Sequence, residues 1–253
     1  MTTIIDYPIL VFALSLVMLW LSAQAGVLLR RLFRGLHETE LRDFDVIVSA
    51  TLTLLGLIIG FGFSMVVSRY DQRKNYEAIE ANAISTEYAR ADLLPPADAA
   101  AVQRVLREYV DERILFYEAS DTKFLEQVRL RTAKLQTELW ALVEGAAEKK
   151  PIVTVGIAVA GMNEVLDSQG YTEAAWWNRL PPAAWFLLVA IAILCNLLIG
   201  YTSRQRRPGL FLILPLAVSI SLFLIADIDS PRHGLIRMAP QNLIALSQAL
   251  KTQ

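Results

Sequence analysis

The densest run of ionisable side chains lies between positions 69 and 92: Arg69, Asp71, Arg73, Lys74, Glu77, Glu80, Glu87, Arg90 and Asp92. Paired carboxylates are the currency of general acid–base catalysis, and Glu80 and Glu87, two turns apart, share one face of a helix. That chemistry also needs a pocket and a grip on a substrate, and the residues around this run supply neither. Arg73–Glu77 at i,i+4 and Glu87–Arg90 at i,i+3 have the spacing of ion pairs on a solvated helix, which is the expectation for most of these charges. The sharper alternative is a vestibule repeated around an oligomer. Carboxylates such as Asp71, Glu80 and Glu87 would then draw in cations, and Arg69 and Arg90 anions.

A second acidic group, Asp227 and Asp229, closes an apolar run and is followed by Ser230-Pro231-Arg232-His233-Gly234. Carboxylates at a helix C-terminus oppose the helix dipole and call for partners. Arg232, Arg237 or the Arg69 region can supply them, so a structural ion-pair knot is expected here rather than an ion site. Metal and nucleophile chemistry find no support. The two histidines, His37 and His233, are far apart, and the one cysteine, Cys195, sits inside an apolar run. A zinc site and an intramolecular disulfide are both excluded as expectations. No phosphate-binding loop, dinucleotide fingerprint, nucleophile elbow or zincin motif occurs, so no cofactor and no enzymatic activity are expected.

The third set of residues is apolar. The segment Leu54 to Met65 reads L-L-G-L-I-I-G-F-G-F-S-M. Gly56 and Gly60 form a small-xxx-small pair, with Gly62 and Ser64 following, and such a stripe lets another helix approach closely. Tight packing inside one subunit is the plainer use. The sharper one is a subunit interface or pore lining, with Phe61 and Phe63 as apolar constrictions beside Ser64.

The elements that carry these residues follow from hydrophobic patterning. Of 253 residues, 55% are hydrophobic and 19% charged, with a net charge of −1, which points away from nucleic acid as a partner. Four runs have no Asp, Glu, Lys or Arg: about 9–29, 46–67, 183–201 and 209–226. Each is long enough to cross a hydrocarbon core about 30 Å thick. The first lacks a basic leader and is read as a retained membrane helix. The expected fold is therefore all-α: a polytopic membrane protein with four transmembrane helices and an inserted helical domain outside the bilayer. Its divisions are 1–70 for the first helix pair, 71–179 for the helical domain, and 180–253 for the second pair with an amphipathic tail. Between Val46 and Leu94 only glycines inside the membrane break the helical pattern, so the second membrane helix is expected to run on into the aqueous domain, with a kink or loop at Ser68 to Lys74 as the alternative.

The loops inside the two pairs are short and carry arginines: Arg30, Arg31, Arg34 and Arg42 in one, and Arg204, Arg206 and Arg207 before Pro208 in the other. Short basic loops stay in the cytoplasm, which puts both termini and the helical domain on the periplasmic or extracellular side of a bacterial inner membrane. Arg69, Arg73 and Lys74 argue the other way, but long domains cross largely regardless of charge.

Three stretches together, Leu54 to Arg73, Glu80 to Pro95 (E-A-N-A-I-S-T-E-Y-A-R-A-D-L-L-P) and Asp227 to Arg237 (D-I-D-S-P-R-H-G-L-I-R), resemble the bestrophin-like bacterial membrane proteins, a family labelled as of unknown function. The resemblance spans the chain. True bestrophins are pentameric anion channels whose second membrane region lines a pore with aromatic constrictions. The resemblance thus implies a homo-oligomeric ion channel in the lipid bilayer, passing inorganic anions, with Phe61 and Phe63 on the matching helix. It also implies a cytoplasmic helical domain, against the loop arginines. The alternative is a membrane scaffold or sensor whose helical domain binds a protein or ligand.

Overall fold

The computed structural model describes residues 4–32, 38–149, 152–203 and 210–252. The loop residues Arg34, His37, Arg204, Arg206, Arg207 and Pro208 lie outside the described residues, as does the side chain of Arg42. The order is α1 (Pro8–Leu32), α2 (Glu38–Arg90), α3 (Pro96–Glu118), α4 (Thr122–Lys149), α5 (Val153–Trp177), α6 (Pro182–Thr202), α7 (Leu210–Asp229) and α8 (Gln241–Lys251). Single 3₁₀ turns occupy Ile4–Asp6 and Ala91–Leu93, and the described residues contain no strand. Among the described residues, four helices are long and apolar enough to cross a membrane, and they coincide with the described parts of the four charge-free runs.

Local chemistry sets the boundaries. Prolines at the first helical position start α3 and α6, where a missing N–H costs nothing. Asp121 caps α4 by accepting the Phe124 amide at 2.8 Å. As the lack of breakers implies, α2 continues without interruption for 53 residues, about 80 Å at 1.5 Å per residue.

The chain forms two compact units. The membrane unit comprises Met1–Arg69 and Arg179–Arg237. Within it α1 packs along α6 and α7 around Leu19, Ala23, Leu188, Ala192, Leu222 and Ile225. The backbones of α1 and α6 approach closely. A Cβ on Gly26 would collide with the Leu197 carbonyl oxygen, and one on Gly200 with the Ala23 carbonyl oxygen. Two side chains cross the same seam: Ser22 Oγ donates to Ile193 O and Arg30 Nη1 to Thr202 O, each at 2.8 Å. Without a hydrophobic drive between helices in lipid, close backbone packing of this kind and such hydrogen bonds hold a bundle together.

The helical unit comprises Tyr70–Asn178 and Met238–Gln253. Its core is built from the second half of α2 with α3, α4, α5 and α8, around Ile84, Leu106, Tyr109, Phe116, Leu139, Met162 and Leu243. Linear order attaches the tail to the second membrane pair; in the fold it packs in the helical unit. There α8 lies on α3, with Arg107 Nε donating to Leu250 O at 3.1 Å and Ser247 Oγ to Asp111 at 2.6 Å.

Because carbonyl oxygens face both glycines, Gly26→Ala and Gly200→Ala should each cost about 1–3 kcal/mol through overpacking, read as a lowered thermal midpoint in detergent. Gly145→Ala, on α4 with open space at its Cβ, should be neutral or stabilising by up to about 1 kcal/mol. Equal stability of Gly200→Ala and wild type would contradict the close α1–α6 seam.

Candidate pore helix and its buried charges

Within the membrane unit, α2 has two unlike faces. Leu55, Gly62 and Val66 are buried, and the Gly62 Cβ position lies 3.4 Å from Leu188 Cδ1 and 3.5 Å from Ile225 Cδ1. Across the helix, Thr53, Gly56, Gly60, Ser64 and Ser68 succeed one another at spacings of three and four, and all are exposed. Among the described residues, none lies within 4 Å of the Gly56 and Gly60 Cβ positions. Of the three glycines, then, Gly62 packs inside the subunit while Gly56 and Gly60 face outward. Phe61 and Phe63 flank this face, 61% and 39% exposed. The Thr51 and Thr53 hydroxyls donate back to Ile47 O and Ser49 O, at 2.6 and 2.9 Å, which makes polar side chains tolerable there. The exposed side of α1 is different: Leu10, Leu14, Val17, Leu21 and Leu28 are the large aliphatics expected against acyl chains.

In the helical unit the inward face of α2 carries charge. Arg73, Glu77, Glu80 and Glu87 are all buried, together with Ile84. The surface-ion-pair expectation fails for Arg73, Glu77, Glu80 and Glu87, since helical periodicity places all four on the same inward stripe as Ile84. Glu80 is fully compensated: it accepts from Arg113 Nε, from Tyr117 Oη at 3.1 Å and from Thr172 Oγ1 at 2.9 Å. Arg113, itself without exposure, stacks its guanidinium 4.5 Å from the Phe116 ring centroid. Burial opposes its charge most strongly, but the charge and hydrogen bond of Glu80 together with Tyr109 and Tyr117 outweigh it, and the Arg113 pKa moves up. Burial and the Glu80 charge raise the Tyr117 phenol, so it stays a donor. Glu77 accepts the Leu243 amide at 2.9 Å and Asn242 Nδ2 at 2.5 Å, capping the N-terminus of α8 from another helix. Arg73 Nε donates to Ala175 O at 3.3 Å. Arg90 pairs with Glu164 at 3.1 Å, whereas Asp71 is exposed and Arg69 half-buried. Of the vestibule candidates, Glu80 and Glu87 therefore lie in the core of their unit.

At the end of α7, the buried Asp227 accepts from the backbone amides of Leu235 and Ile236, at 2.6 and 2.9 Å. The buried Asp229 accepts the Leu180 amide at 2.9 Å, and Asp6 pairs with Arg179. Gly234 is required at the turn, since a Cβ there would strike the Asp227 carbonyl oxygen. Arg232 is half-buried beside this knot. The carboxylates at this helix end are satisfied largely by backbone N–H groups, a solution that spacing of charges does not reveal. No group of three His, Cys, Asp or Glu among the described residues is placed to hold a metal ion.

Sequence reasoning missed Arg113, Tyr117 and Thr172. A signal for Arg113 existed: it sits four residues from both Tyr109 and Tyr117, on the apolar stripe of α3, where a charge demands a buried partner. Gly161, which proves to face Glu87, gave no signal of its own.

A family model described as the Bestrophin-like domain matches residues 16–243. No curated protein matches the chain. Solved structures do. A single-site variant of a bacterial bestrophin homologue from Klebsiella pneumoniae has 14% identity, a TM-score of 0.67, and covers 95% of this chain and 94% of its own. The zinc-phased structure of that homologue has 16% identity and a TM-score of 0.65 over 96% and 97%. At such identities the likeness is one of fold.

Arg113→Ala should destabilise the helical unit by about 3–5 kcal/mol, because it strands a buried carboxylate. The double variant Glu80→Met with Arg113→Met should recover much of that loss in the same denaturation assay. A double variant no better than the single one would show that Glu80 does not depend on Arg113.

Proposed function

This chain belongs to the bestrophin-like family, and from that premise we propose that it is a homo-oligomeric ion channel with the Thr53–Ser68 face of α2 turned to the axis. The observation that carries the reading is the character of that face. A row of Gly, Ser and Thr with no neighbour at Gly56 and Gly60 is poor cover against acyl chains, and suits either a closely approaching copy or water. Phe61 and Phe63, exposed beside Ser64, provide the apolar narrowing that gates by dewetting. Anions are taken as the permeant class on the family likeness. The protein is read as a non-enzyme, a multi-pass protein of the bacterial inner membrane.

The rival reading, a membrane-anchored sensor, draws on a cleft of about 450 Å³ in the helical unit, lined by Asn82 and Thr86 on α2 and Glu164, Asp167 and Tyr171 on α5. With Ile79 and Ala83 its walls are mainly apolar with a few polar groups, the make-up of a small-ligand site. The channel reading is preferred because the cleft leaves the composition of the α2 membrane face unexplained.

The arginines of the two short loops support a periplasmic side for the termini and the helical unit. With cysteines introduced as Ser120→Cys and Ser203→Cys, an impermeant thiol reagent applied to intact cells should label position 120 and spare 203. The reverse pattern restores the orientation of true bestrophins.

In planar bilayers under a chloride gradient, the purified oligomer should give discrete currents reversing near the chloride potential. Phe61→Ala and Phe63→Ala should raise unitary conductance. Silence from folded, oligomeric protein under every ion gradient removes the channel reading; unchanged currents in both variants remove these aromatics from the pore.

A further inference from the structure

Glu87 stands apart from the other buried carboxylates of α2. Glu77 and Glu80 accept hydrogen bonds from named donors, whereas neither oxygen of Glu87 has a hydrogen-bond partner among the described residues, and Glu87 has no exposure. An ionised carboxylate in that position is costly, and a neutral carboxylic acid much less so.

The position is built for the group. Gly161 on α5 faces it, and any Cβ there would overlap Glu87 Oε2 and Arg90 Nη1. The carboxyl thus fills the space left by a missing side chain, at the place where α2 and α5 come together. Two charged groups reach it. Arg90, one turn on along the same helix, favours ionisation but is bound to Glu164 at 3.1 Å. Glu164 on α5 disfavours ionisation. The turn Ala91–Leu93 also packs against α5, and its acid, Asp92, is engaged by Gln103 Nε2 at 2.9 Å. Further along α5, Asp167 accepts from Asn163 at 3.1 Å.

We propose that Glu87 is a proton-binding latch: protonated, it lies against Gly161 and holds α5 to α2, and ionised, it loosens that packing. The latch concerns the helical unit and holds whether or not the protein conducts ions. It needs only a proton exchanged with solvent: the acid O–H breaks, and the carboxylate moves toward Arg90 and water.

The direction of the pH dependence follows from the environment. Burial raises the carboxyl from 4.5 to about 8, with Arg90 pulling down and Glu164 pushing up. The raised value belongs to the closed packing, and opening to water returns the group to 4.5. Between these values the closed form keeps a proton that the open form releases. Closure is therefore strongest below pH 4.5, weakens by about tenfold per pH unit as pH rises, and levels off above about 8.

The test is amide hydrogen exchange of α5 in the detergent-solubilised full chain, corrected for intrinsic exchange, at pH 6 and pH 8. Wild type should lose roughly 50-fold in protection over this interval. Glu87→Gln, which stays neutral, should remain protected and show no step. Glu164→Gln frees Arg90 for Glu87 and should move the step to lower pH. A wild type without the step, or a step that survives in Glu87→Gln, overturns the latch.

Discussion

The fold depends on a constraint placed on α2: one uninterrupted helix serves a membrane unit and a helical unit, and its buried face must be satisfied differently in each. In the membrane unit the buried positions are Leu55, Gly62 and Val66, and the helix meets α6 and α7 through Leu188 and Ile225. In the helical unit the inward positions hold Arg73, Glu77, Glu80 and Glu87, so the cost of burying charge falls on the helices around them. Arg113 and Tyr117 from α3 and Thr172 from α5 answer Glu80, and the N-terminus of α8 answers Glu77. These contacts fix register, because each carboxylate accepts from partners at single positions. They also explain why the tail returns to the helical unit: α8 brings the amides that Glu77 requires. Glu87 is the exception: no donor among the described residues answers it.

The membrane unit shows the complementary economy. Its seam is carried by reciprocal contacts of Gly26 and Gly200 with carbonyl oxygens and by the Ser22 hydroxyl. That close seam leaves the Gly56 and Gly60 face of α2 unused inside the subunit, and this surplus of small and hydroxylated residues is what the channel reading explains.

Much of this was legible in the sequence. Four charge-free runs fix the membrane helices because a charge at mid-bilayer is expensive, and the absence of Gly and Pro between Val67 and Leu94 reveals the long α2. The bestrophin-like resemblance carried by Leu54 to Arg73, Glu80 to Pro95 and Asp227 to Arg237 agrees with the family match over residues 16–243. The burial of Glu80 was not legible, because charges at i,i+3 and i,i+4 read alike on a wet helix and in a core. Only the partner distinguishes them, and Arg113 lies 33 residues away. Glu77 and Asn242 are 165 residues apart, beyond any local rule. The G-x-x-x-G pair drew attention to the wrong seam for intrasubunit packing, since Gly26 and Gly200 lie on different helices and form no motif together.

The central claim is that the Thr53–Ser68 face of α2 borders water within an assembly of copies. Ser64→Cys, in a chain whose native Cys195 is buried, places a thiol on that face one turn from Gly60. A water-soluble, charged methanethiosulfonate added to the membrane-embedded protein measures its surroundings directly. Rapid modification at position 64, with a cysteine at Leu14 on the outer side of α1 left unmodified, is the predicted result. No modification at position 64 under conditions that label an exposed loop would contradict it and put that face in lipid or in a dry contact.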